Sequence, residues 1–442
     1  MQSSPRLPSI KPVNGSWYRD LRANHIWVLL IASLGWLFDT MDQRIFVLAR
    51  GPAMNSLLAA GTTPADVTYY SGVATAIFMI GWAVGGFYFG IMGDRWGRAK
   101  TMMLTILMYS AFTGLSALSQ RWWDFMLYRF LTGLGVGGEF AAGVALVAET
   151  MPESARAHAL GLLQTFSAVG NIIGSALSFI ILPLGWRWMF LVGILPALLV
   201  AAVFRKLKEP DVWQRARAAA VATGDQKSMG SMGDLFRDPR WRRNTIIGLL
   251  LAIAGVVGLW GIGFWTPELI REALGQASKQ TKDWYVSMGT LLQDVGALFG
   301  IYTFTVVTAR VGRRPAFVLS FLLGLTATVM TFAWLRHPSD IFWMIPILGF
   351  CNLLVFGGYS IYFPELYPTR LRSSGVGFCY NVGRVIAALG PFTLGSLTVV
   401  FRNAGFDSPF RAAAISLSSI YLLGVVTIAF APETRGNPLP EE

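Results

Sequence analysis

The chain has 442 residues, of which 54% are hydrophobic and only 14% are charged. A soluble protein carries roughly 25% charged residues, so the composition excludes an ordinary soluble domain. The formal net charge of +12 would suit a nucleic-acid-binding protein, but the placement of the basic residues argues against that function.

Twelve hydrophobic segments follow one another along the chain, each long enough to cross a bilayer as a helix of about 20 residues. The first 24 residues are polar and lack the short apolar core of a signal peptide, so we expect a polar N-terminal segment at 1–24. A polar, basic linker at 206–242 separates the sixth segment from the seventh, and residues 432–442 form a short tail. The predicted spans are 25–46, 69–92, 101–119, 124–148, 157–182, 187–205, 243–270, 284–308, 316–334, 341–363, 372–398 and 411–431.

Most of the 36 Lys and Arg residues fall in the N-terminal segment, the linker and every second loop. By the positive-inside rule this asymmetry predicts a multi-pass protein of the inner membrane with both termini in the cytoplasm. Topology therefore explains the basic excess, and we expect the lipid bilayer rather than nucleic acid as a partner. Three arginines, Arg44, Arg129 and Arg384, lie within predicted spans. A charge near the bilayer centre costs on the order of 3 kcal/mol or more, so each indicates a function or a partner.

Two motifs each occur twice, at a spacing of nearly half the chain. GDRWGRAK at 93–100 is echoed by ARVGRRPA at 309–316, and ETMPESAR at 149–156 is echoed by ELYPTRLR at 365–372. Parallel repeats of six spans with a site between them at mid-membrane are a transporter architecture. We therefore predict an all-α membrane protein of two pseudo-symmetric six-helix bundles. The predicted bundles are residues 25–205 and 243–431.

These motifs resemble those of the major facilitator superfamily. The resemblance rests on G-D-R-x-G-R after the second span, R-x-x-x-G-x-G-x-G in the fourth span from Arg129, and the paired E-x-x-P-x-x-x-R motifs, and it covers nearly the whole chain. The segments RFLTGLGVGGEF, LGWRWMFLVGILPALL and YNVGRVIAALGP are most similar to the bacterial sialate and organic-acid:proton symporters. The resemblance implies a monomeric secondary transporter that uses alternating access. The sequence has no phosphate-binding loop, metal-ligand cluster or nucleophile–base set, so we expect neither a cofactor nor an enzyme.

Charged residues in the repeated motifs are predicted to act as latches that tie helix ends together when the cytoplasmic side is closed. Glycines 93 and 97 allow the tight turn that this arrangement needs. The alternative is that the arginines only set the topology. Ala309 replaces the aspartate in the second copy, which predicts a weaker latch there. The predicted gating residues are Asp94, Arg95, Arg98, Glu149, Arg156, Arg310, Arg313, Glu365 and Arg372.

Charges of opposite sign lie at matching depth in the first and fourth spans. Asp39 is about 10 Å and Arg129 about 8 Å from the outer end of its span, from a rise of about 1.5 Å per residue. An Asp39–Arg129 pair would offset the desolvation of both groups. The resemblance to proton-coupled sugar porters implies that this pair couples protons to transport; the alternative is a static pair that orients two helices. Further predicted coupling residues are Asp42, Glu139 and Asp294.

Arg384 is the predicted binding group for the substrate. Arginine presents a planar fork that matches a carboxylate and stays charged at cellular pH. The organic-anion carriers of the superfamily similarly place an arginine in this span; the alternative role of Arg384 is a structural partner for Asp294. Four further residues complete the predicted substrate site. Gln164 and Asn171 resemble the two amides of the sugar porters of the superfamily, and Trp265 resembles an aromatic residue of those proteins. The fourth is Tyr380, a neighbour of Arg384 in the sequence.

Together these features predict a proton-coupled symporter for a small organic anion such as sialate, an aromatic acid or another organic acid. A sugar or polyol symporter is an alternative, favoured by Gln164 and Asn171 and opposed by Arg384 and by a seventh span without amides. A drug exporter is a third hypothesis, but it should prefer lipophilic cations, which Arg384 would repel. A metabolite-sensing receptor usually has a large signalling tail, and the tail here is short.

Overall fold

The computed structural model describes residues 17–59, 61–198, 200, 207–387 and 390–441. Throughout this part of the chain the regular structure is helical, without strands, which confirms the predicted all-α class. Most of the predicted N-terminal segment, the end of the predicted sixth span at 201–205 and the first linker residue, 206, lie outside the described residues.

The N-terminal half begins with a short 3₁₀ turn and continues with long helices joined by tight turns. Thr63 caps the second helix through a reciprocal capping box with Asp66, and Pro64 fills its first turn. Gly97, at φ 130°, forms the turn to the third helix, in a conformation that favours glycine. The helices of this half are α1 (Ala23–Leu57), α2 (Pro64–Trp96), α3 (Arg98–Ser116), α4 (Trp122–Thr150), α5 (Glu153–Ile181) and α6 (Trp186–Val192).

The linker and the C-terminal half supply the remaining helices. Gly312, at φ 95°, repeats the turn of the first half between its second and third long helices. A π-helical turn at Val257–Ile262 and a 3₁₀ turn at Gly263–Trp265 interrupt the predicted seventh span. The linker helices are α7 (Asp211–Ala222) and α8 (Met232–Arg237); the later helices are α9 (Pro239–Val256), α10 (Thr266–Ala273), α11 (Lys279–Val311), α12 (Arg313–Trp334), α13 (Pro338–Glu365), α14 (Arg372–Ala387), α15 (Gly390–Asn403), α16 (Pro409–Leu417) and α17 (Ile420–Ala429).

Eight helical segments within the described residues are long and apolar enough to cross a membrane. They correspond to the predicted spans two, four, five, seven, eight, nine, ten and twelve. The other four predicted spans coincide with α1, with α3, with the α6 segment, which stays apolar as far as Leu198, and with α14 followed by α15. Twelve spanning segments in two bundles therefore account for the architecture.

The two halves meet along two pairs of helices, α2 with α14 and α5 with α11. Within the N-terminal half, α2 packs on α4. Glycines of the α4 motif allow this contact, because a Cβ at Gly137 would collide with the backbone of α2 at Trp82 and Gly86. The central helices α1, α2, α4 and α14 are thereby held close together, and their facing side chains form the candidate site.

Candidate functional site

Arg384 lies in α14 at the boundary between the halves and is only 7% exposed. Its guanidinium carbon is 3.8 Å from the ring centre of Trp82, in the other half, and 4.0 Å from that of Tyr380. Such cation–π contacts offset part of the cost of burying the charge. Among the described residues, however, its Nε and Nη1 have no hydrogen-bond partner. The structure therefore presents a buried cation whose donors are largely unused.

Two carboxylates accompany this arginine. Asp39 in α1 is fully buried and interacts electrostatically with Arg384; its Oδ1 accepts a 3.1 Å hydrogen bond from Gln43. Glu139 in α4 is 1% exposed and lies close enough to Asp39 for the two charges to interact. Gly35 makes room for it, since the Glu139 carboxylate lies where a Cβ at that position would be. Neither Asp39 Oδ2 nor Glu139 Oε2 has a hydrogen-bond partner in the described part of the chain.

Aromatic rings form the walls of this region. Tyr380 stacks on Phe140 at 4.3 Å, and Phe140 in turn packs against Trp36 at 4.7 Å. Two residues of this region, Trp82 and Asn381, were not predicted from the sequence to belong to the site. The position of Asn381, three residues before Arg384 on one helix face, is the signal that could have found it. Other polar atoms of the core are also buried without a partner within the described residues, among them Trp36 Nε1, Trp82 Nε1, Gln164 Oε1 and Asn381 Oδ1.

The predicted Asp39–Arg129 pair is wrong, because the structure pairs Arg129 with Asp42. Their closest charged atoms are 3.7 Å apart and both side chains are fully buried. Arg129 also donates to the hydroxyls of Ser116 and Thr132 at 2.8 and 3.0 Å. Asp39 and Asp42 lie three residues apart in α1, and the rotation of that helix turns Asp42 rather than Asp39 towards α4. Arg129 thus belongs to the packing of the N-terminal half, whereas Asp39 belongs to the site of Arg384.

Asp294 is not the partner of Arg384 either. It forms an ion pair with Arg44, which joins α11 in the C-terminal half to α1 in the N-terminal half. The side chains of Arg44 and Asp294 are 20% and 12% exposed, more than the fully buried Asp42–Arg129 pair. The charges that the sequence places inside spans therefore fall into three separate groups around Arg384, Arg129 and Arg44.

The other predicted substrate residues differ in their surroundings. Gln164 is 2% exposed, and its Nε2 donates to Ser167 Oγ at 3.5 Å. Asn171 is half-buried, two turns further along α5. Trp265 packs edge-on against Phe410 at 6.0 Å, in an apolar cluster separate from the one that contains Tyr380. The structure thus places Tyr380 beside Arg384 and Trp265 in other surroundings.

A cluster of buried charges closes the inner side, by which we mean the side of the α2–α3 turn and the linker. Glu149 accepts hydrogen bonds from Arg98 Nε and Nη2 at 3.0 and 2.9 Å, and from Arg372 Nη1, in the other half, at 2.6 Å. Asp94 also bridges the halves, because it accepts the backbone N–H groups of Ser373 and Ser374 at 3.1 and 2.8 Å. We call Asp94, Arg98, Glu149 and Arg372 the inner latch. In the structure these residues join the two halves on this side.

The second copy of the motif forms a cluster within the C-terminal half. Arg313 donates to Glu365 at 3.0 and 2.7 Å. The other three predicted gating arginines, Arg95, Arg156 and Arg310, form no direct ion pair within the described residues: Arg95 donates to the Met229 carbonyl, Arg156 donates to the Ala148 carbonyl, and Arg310 is exposed.

Two glutamates outside the spans cap helices at the inner side. Glu209 accepts the backbone N–H groups of Arg98 and Lys100 at the start of α3, at 2.7 and 3.1 Å. Glu433 does the same for Arg313 and Arg314 at the start of α12, at 2.9 and 3.1 Å. Partial burial alone would raise the pKa of Glu433, but these backbone hydrogen bonds outweigh it and hold the pKa below the ordinary value of 4.5. The linker therefore braces α3, which carries Arg98 of the inner latch, and the tail braces α12, which carries Arg313.

A helical membrane protein with a charged site buried between two halves, and a latch that joins those halves on one side, belongs to the class of secondary transporters. Residues 28–391 match the sequence profile of the Major Facilitator Superfamily. The chain belongs to this family, as the sequence motifs predicted, and it is a transporter rather than an enzyme.

Relatives cover almost the whole chain. A protein of Haemophilus influenzae named for metabolite transport is 31% identical, over 93% of this chain and 98% of the relative. The cis,cis-muconate transport protein of Acinetobacter baylyi is 27% identical, over 95% of this chain and 98% of the relative. The sialic acid transporter NanX of Escherichia coli is also 27% identical, over 94% of each chain. Two of these three relatives are named for organic acids.

The fold is similar to that of a solved sugar transporter. The proton:xylose symporter XylE, determined with 6-bromo-6-deoxy-D-glucose, superposes with a TM-score of 0.78 over 95% of this chain and 98% of that chain. Its sequence identity to this chain is 18%, so the likeness concerns the fold alone.

Proposed function

We propose that this transporter carries a small organic anion together with protons across the bacterial inner membrane. The observation that supports the proposal best is Arg384, a buried cation between Trp82 and Tyr380 whose Nε and Nη1 find no acceptor among the described residues. Buried donors without acceptors are unfavourable by roughly 1–3 kcal/mol or more. A carboxylate of a ligand would supply an acceptor to these donors, and the two rings offer flat apolar surfaces to the rest of the ligand.

Asp39 and Glu139 are the proposed proton-coupling residues. Both are buried, Asp39 beside Arg384 and Glu139 beside Asp39, and each has an oxygen without a hydrogen-bond partner in the described chain. A substrate carboxylate at Arg384 competes with Asp39 for the same cation. Protonation of Asp39 or Glu139 removes that competition, so anion and proton are expected to load together. Asp42, Arg129 and Asp294 then serve mainly to hold helices in place.

Alternating access follows from two halves, proposed as residues 25–205 and 243–431 with a linker at 206–242, that rock around this site. The inner latch holds the inner side closed while substrate enters from outside. Separation of Glu149 from Arg372 then opens the path inward. We propose that both termini are cytoplasmic, in keeping with the basic residues of the linker, and that one chain is the working unit.

The relatives support an acid as the substrate, because two of them are named for cis,cis-muconate and sialic acid. A sugar symporter is the second candidate. It is favoured by the unpartnered Oε1 of buried Gln164 and by the fold shared with the xylose symporter. A neutral sugar would leave the charge of Arg384 without an anionic ligand, which is why we prefer the acid.

The test is uptake into proteoliposomes of labelled sialate, benzoate-type acids and hexoses, with and without an inward proton gradient. Gradient-driven uptake of a carboxylate is expected in the wild type, with at least a tenfold loss in Arg384→Gln. Arg50→Gln is the matched control, because it removes another arginine of the N-terminal half. Arg50, in α1, donates to Thr75 of α2 at 2.5 Å. Hexose uptake that survives Arg384→Gln would refute the anion proposal.

A further inference from the structure

A groove of about 970 Å³ lies at the inner side, between the start of α3 and the linker helix α7. Most of the described residues that line it are apolar; α2 and α3 contribute Trp96 and Met103, and α7 contributes Ala218 and Val221. Trp96 is the last residue of the apolar segment Tyr69–Trp96, which is long enough to span the membrane. The groove therefore lies where the spans meet the inner membrane surface, a level at which tryptophan is favoured.

The α3 side of the groove continues into a surface that faces lipid. Lys100, Met103 and Leu107 follow one another at intervals of three and four residues, so they share one face of α3. Lys100 and Leu107 are exposed, and Met103 is half-buried. An apolar side chain that is exposed on a membrane span contacts the hydrocarbon chains of the bilayer. A molecule with a polar end near Lys100 and an apolar chain can therefore lie in the groove and extend along α3 into the bilayer.

The α7 side of the groove is held in place by one buried tryptophan. Trp213 Nε1 donates to the Asp94 carbonyl at 2.7 Å, and the guanidinium carbon of Arg98 is 5.9 Å from the centre of the Trp213 ring. These contacts hold α7 beside the inner latch. The following turns of the helix present Ala218 and Val221 to the groove, and both are exposed. Burial of these apolar side chains against an acyl chain would be favourable.

Three exposed basic side chains, Lys100, Lys208 and Arg217, also line the groove. The guanidinium carbon of Arg217 is 5.2 Å from the ring centre of Trp213, which keeps its charge beside the groove. Glu209 is the only acid among the described lining residues, and its two oxygens accept backbone N–H groups at the start of α3. Three cations therefore accompany one acid whose oxygens are already engaged, so the groove attracts an anion.

We propose that this groove binds an anionic phospholipid of the leaflet on the inner side. The lipid phosphate accepts hydrogen bonds from the three basic side chains, and an acyl chain packs against Met103 and Val221. Basic pockets between spans on the cytoplasmic side are suited to anionic headgroups. The apolar lining favours a lipid over a free phosphate, because a free phosphate would leave that lining in contact with water. The inference does not involve Arg384, so it is independent of the substrate that the protein transports.

The test counts bound lipids by native mass spectrometry of the full chain in detergent. Dioleoyl phosphatidylglycerol and dioleoyl phosphatidylcholine carry the same acyl chains but differ in net charge. We expect the wild type to bind the first phosphatidylglycerol at least tenfold more tightly than the first phosphatidylcholine. The combined substitutions Lys100→Gln, Lys208→Gln and Arg217→Gln should abolish this preference. Glycerol 3-phosphate, a headgroup without acyl chains, should not displace phosphatidylglycerol at equal concentration.

Two further variants locate the site. The combined substitutions Arg237→Gln, Arg240→Gln and Arg242→Gln remove three exposed arginines of the same side that are not among the described lining residues. This variant should keep the wild-type preference, although it loses the same number of charges. Ala218→Trp fills the groove without changing the charge, at a position that is exposed. It should lose at least tenfold in affinity for phosphatidylglycerol.

Several results would overturn the inference. Equal binding of the two lipids by the wild type would refute an anionic lipid site. Equal losses in the two triple variants would show that the basic inner surface as a whole attracts the lipid, and undiminished binding in Ala218→Trp would likewise refute the groove. Displacement by glycerol 3-phosphate would show that the groove binds a free phosphate instead of a lipid.

Discussion

Neutralising Glu149 should shift the protein from the closed inner latch towards an open inner side. Glu149 is the only acid in the described residues that pairs with both Arg98 and Arg372, and the side chains in these contacts are fully buried. Glu149→Gln keeps the shape but leaves the buried guanidinium of Arg372 without a counter-ion and that of Arg98 with Asp94 alone. Breaking a buried pair costs about 3–5 kcal/mol. The open state does not pay this penalty, because water reaches the separated arginines there.

A cost of about 3 kcal/mol changes the equilibrium ratio of the closed to the open state by roughly a hundredfold. The assay is double electron–electron resonance between spin labels at Lys100→Cys and Val311→Cys, two exposed positions in different halves near the inner side. The native Cys351 and Cys379 are buried, so labelling can be selective. The distance distribution is expected to move towards longer values in Glu149→Gln.

Glu153→Gln is the matched control, because Glu153 is an exposed acid at the start of α5, on the same side of the protein. It should leave the distance distribution as in the wild type. A well-folded Glu149→Gln protein whose distances equal those of the control would refute the latch. The buried arginines would then serve topology alone.

Two further predictions concern stability. Asp42→Asn leaves Arg129 without its carboxylate, so it should lower the thermal unfolding temperature more than Asp39→Asn does; the reverse order would contradict the observed pairing. Glu433→Gln removes a cap whose acid has a lowered pKa, so its destabilisation relative to wild type should be full at pH 7 and fade as the pH falls through 4.5 and below. A difference that grows on acidification would show that the cap works through another group.

The sequence singled out the charged residues of the core more reliably than it predicted which residues they pair with. Arg384 was singled out because a charge at that depth needs a reason, and the structure places it buried between two rings. The repeated motifs likewise predicted that their charged residues form one network, and in the structure Arg98 pairs with Glu149. Both inferences depend on features that can be seen directly in the linear sequence, namely a charged residue among apolar residues and a motif that occurs twice.

Pairing across helices was harder, because it depends on the rotation of each helix about its axis. Asp39 and Asp42 differ by three residues, and depth alone cannot tell which of them faces Arg129. The position of Arg44 within the first predicted span indicated that it needs a partner, but not which one. Its partner is 250 positions away in the sequence, on a helix of the other half. Only the packing of α1 and of α11 against α5 brings them together.

The charge balance of the core explains why an anion should bring a proton with it. Arg129 is balanced by Asp42 and Arg44 by Asp294. Arg384 has Asp39 nearby, which leaves Glu139 as an additional acid in the described core. A carboxylate that binds Arg384 adds a further negative charge in a region of low dielectric constant, where an unpaired charge is costly.

Proton uptake is the least costly way to neutralise this additional negative charge, since Asp39 and Glu139 can both accept a proton at the site. We therefore expect at least one proton to enter for each carboxylate group transported. The measurement uses a pH-sensitive dye inside proteoliposomes, calibrated against uptake of the labelled acid in the same vesicles. Glu139→Gln should lower the number of protons per substrate if Glu139 is the carrier, and Asp39→Asn should do so if Asp39 is. A ratio that stays at zero in the wild type would refute the charge-balance argument, because the core would then hold the extra anion without neutralising it.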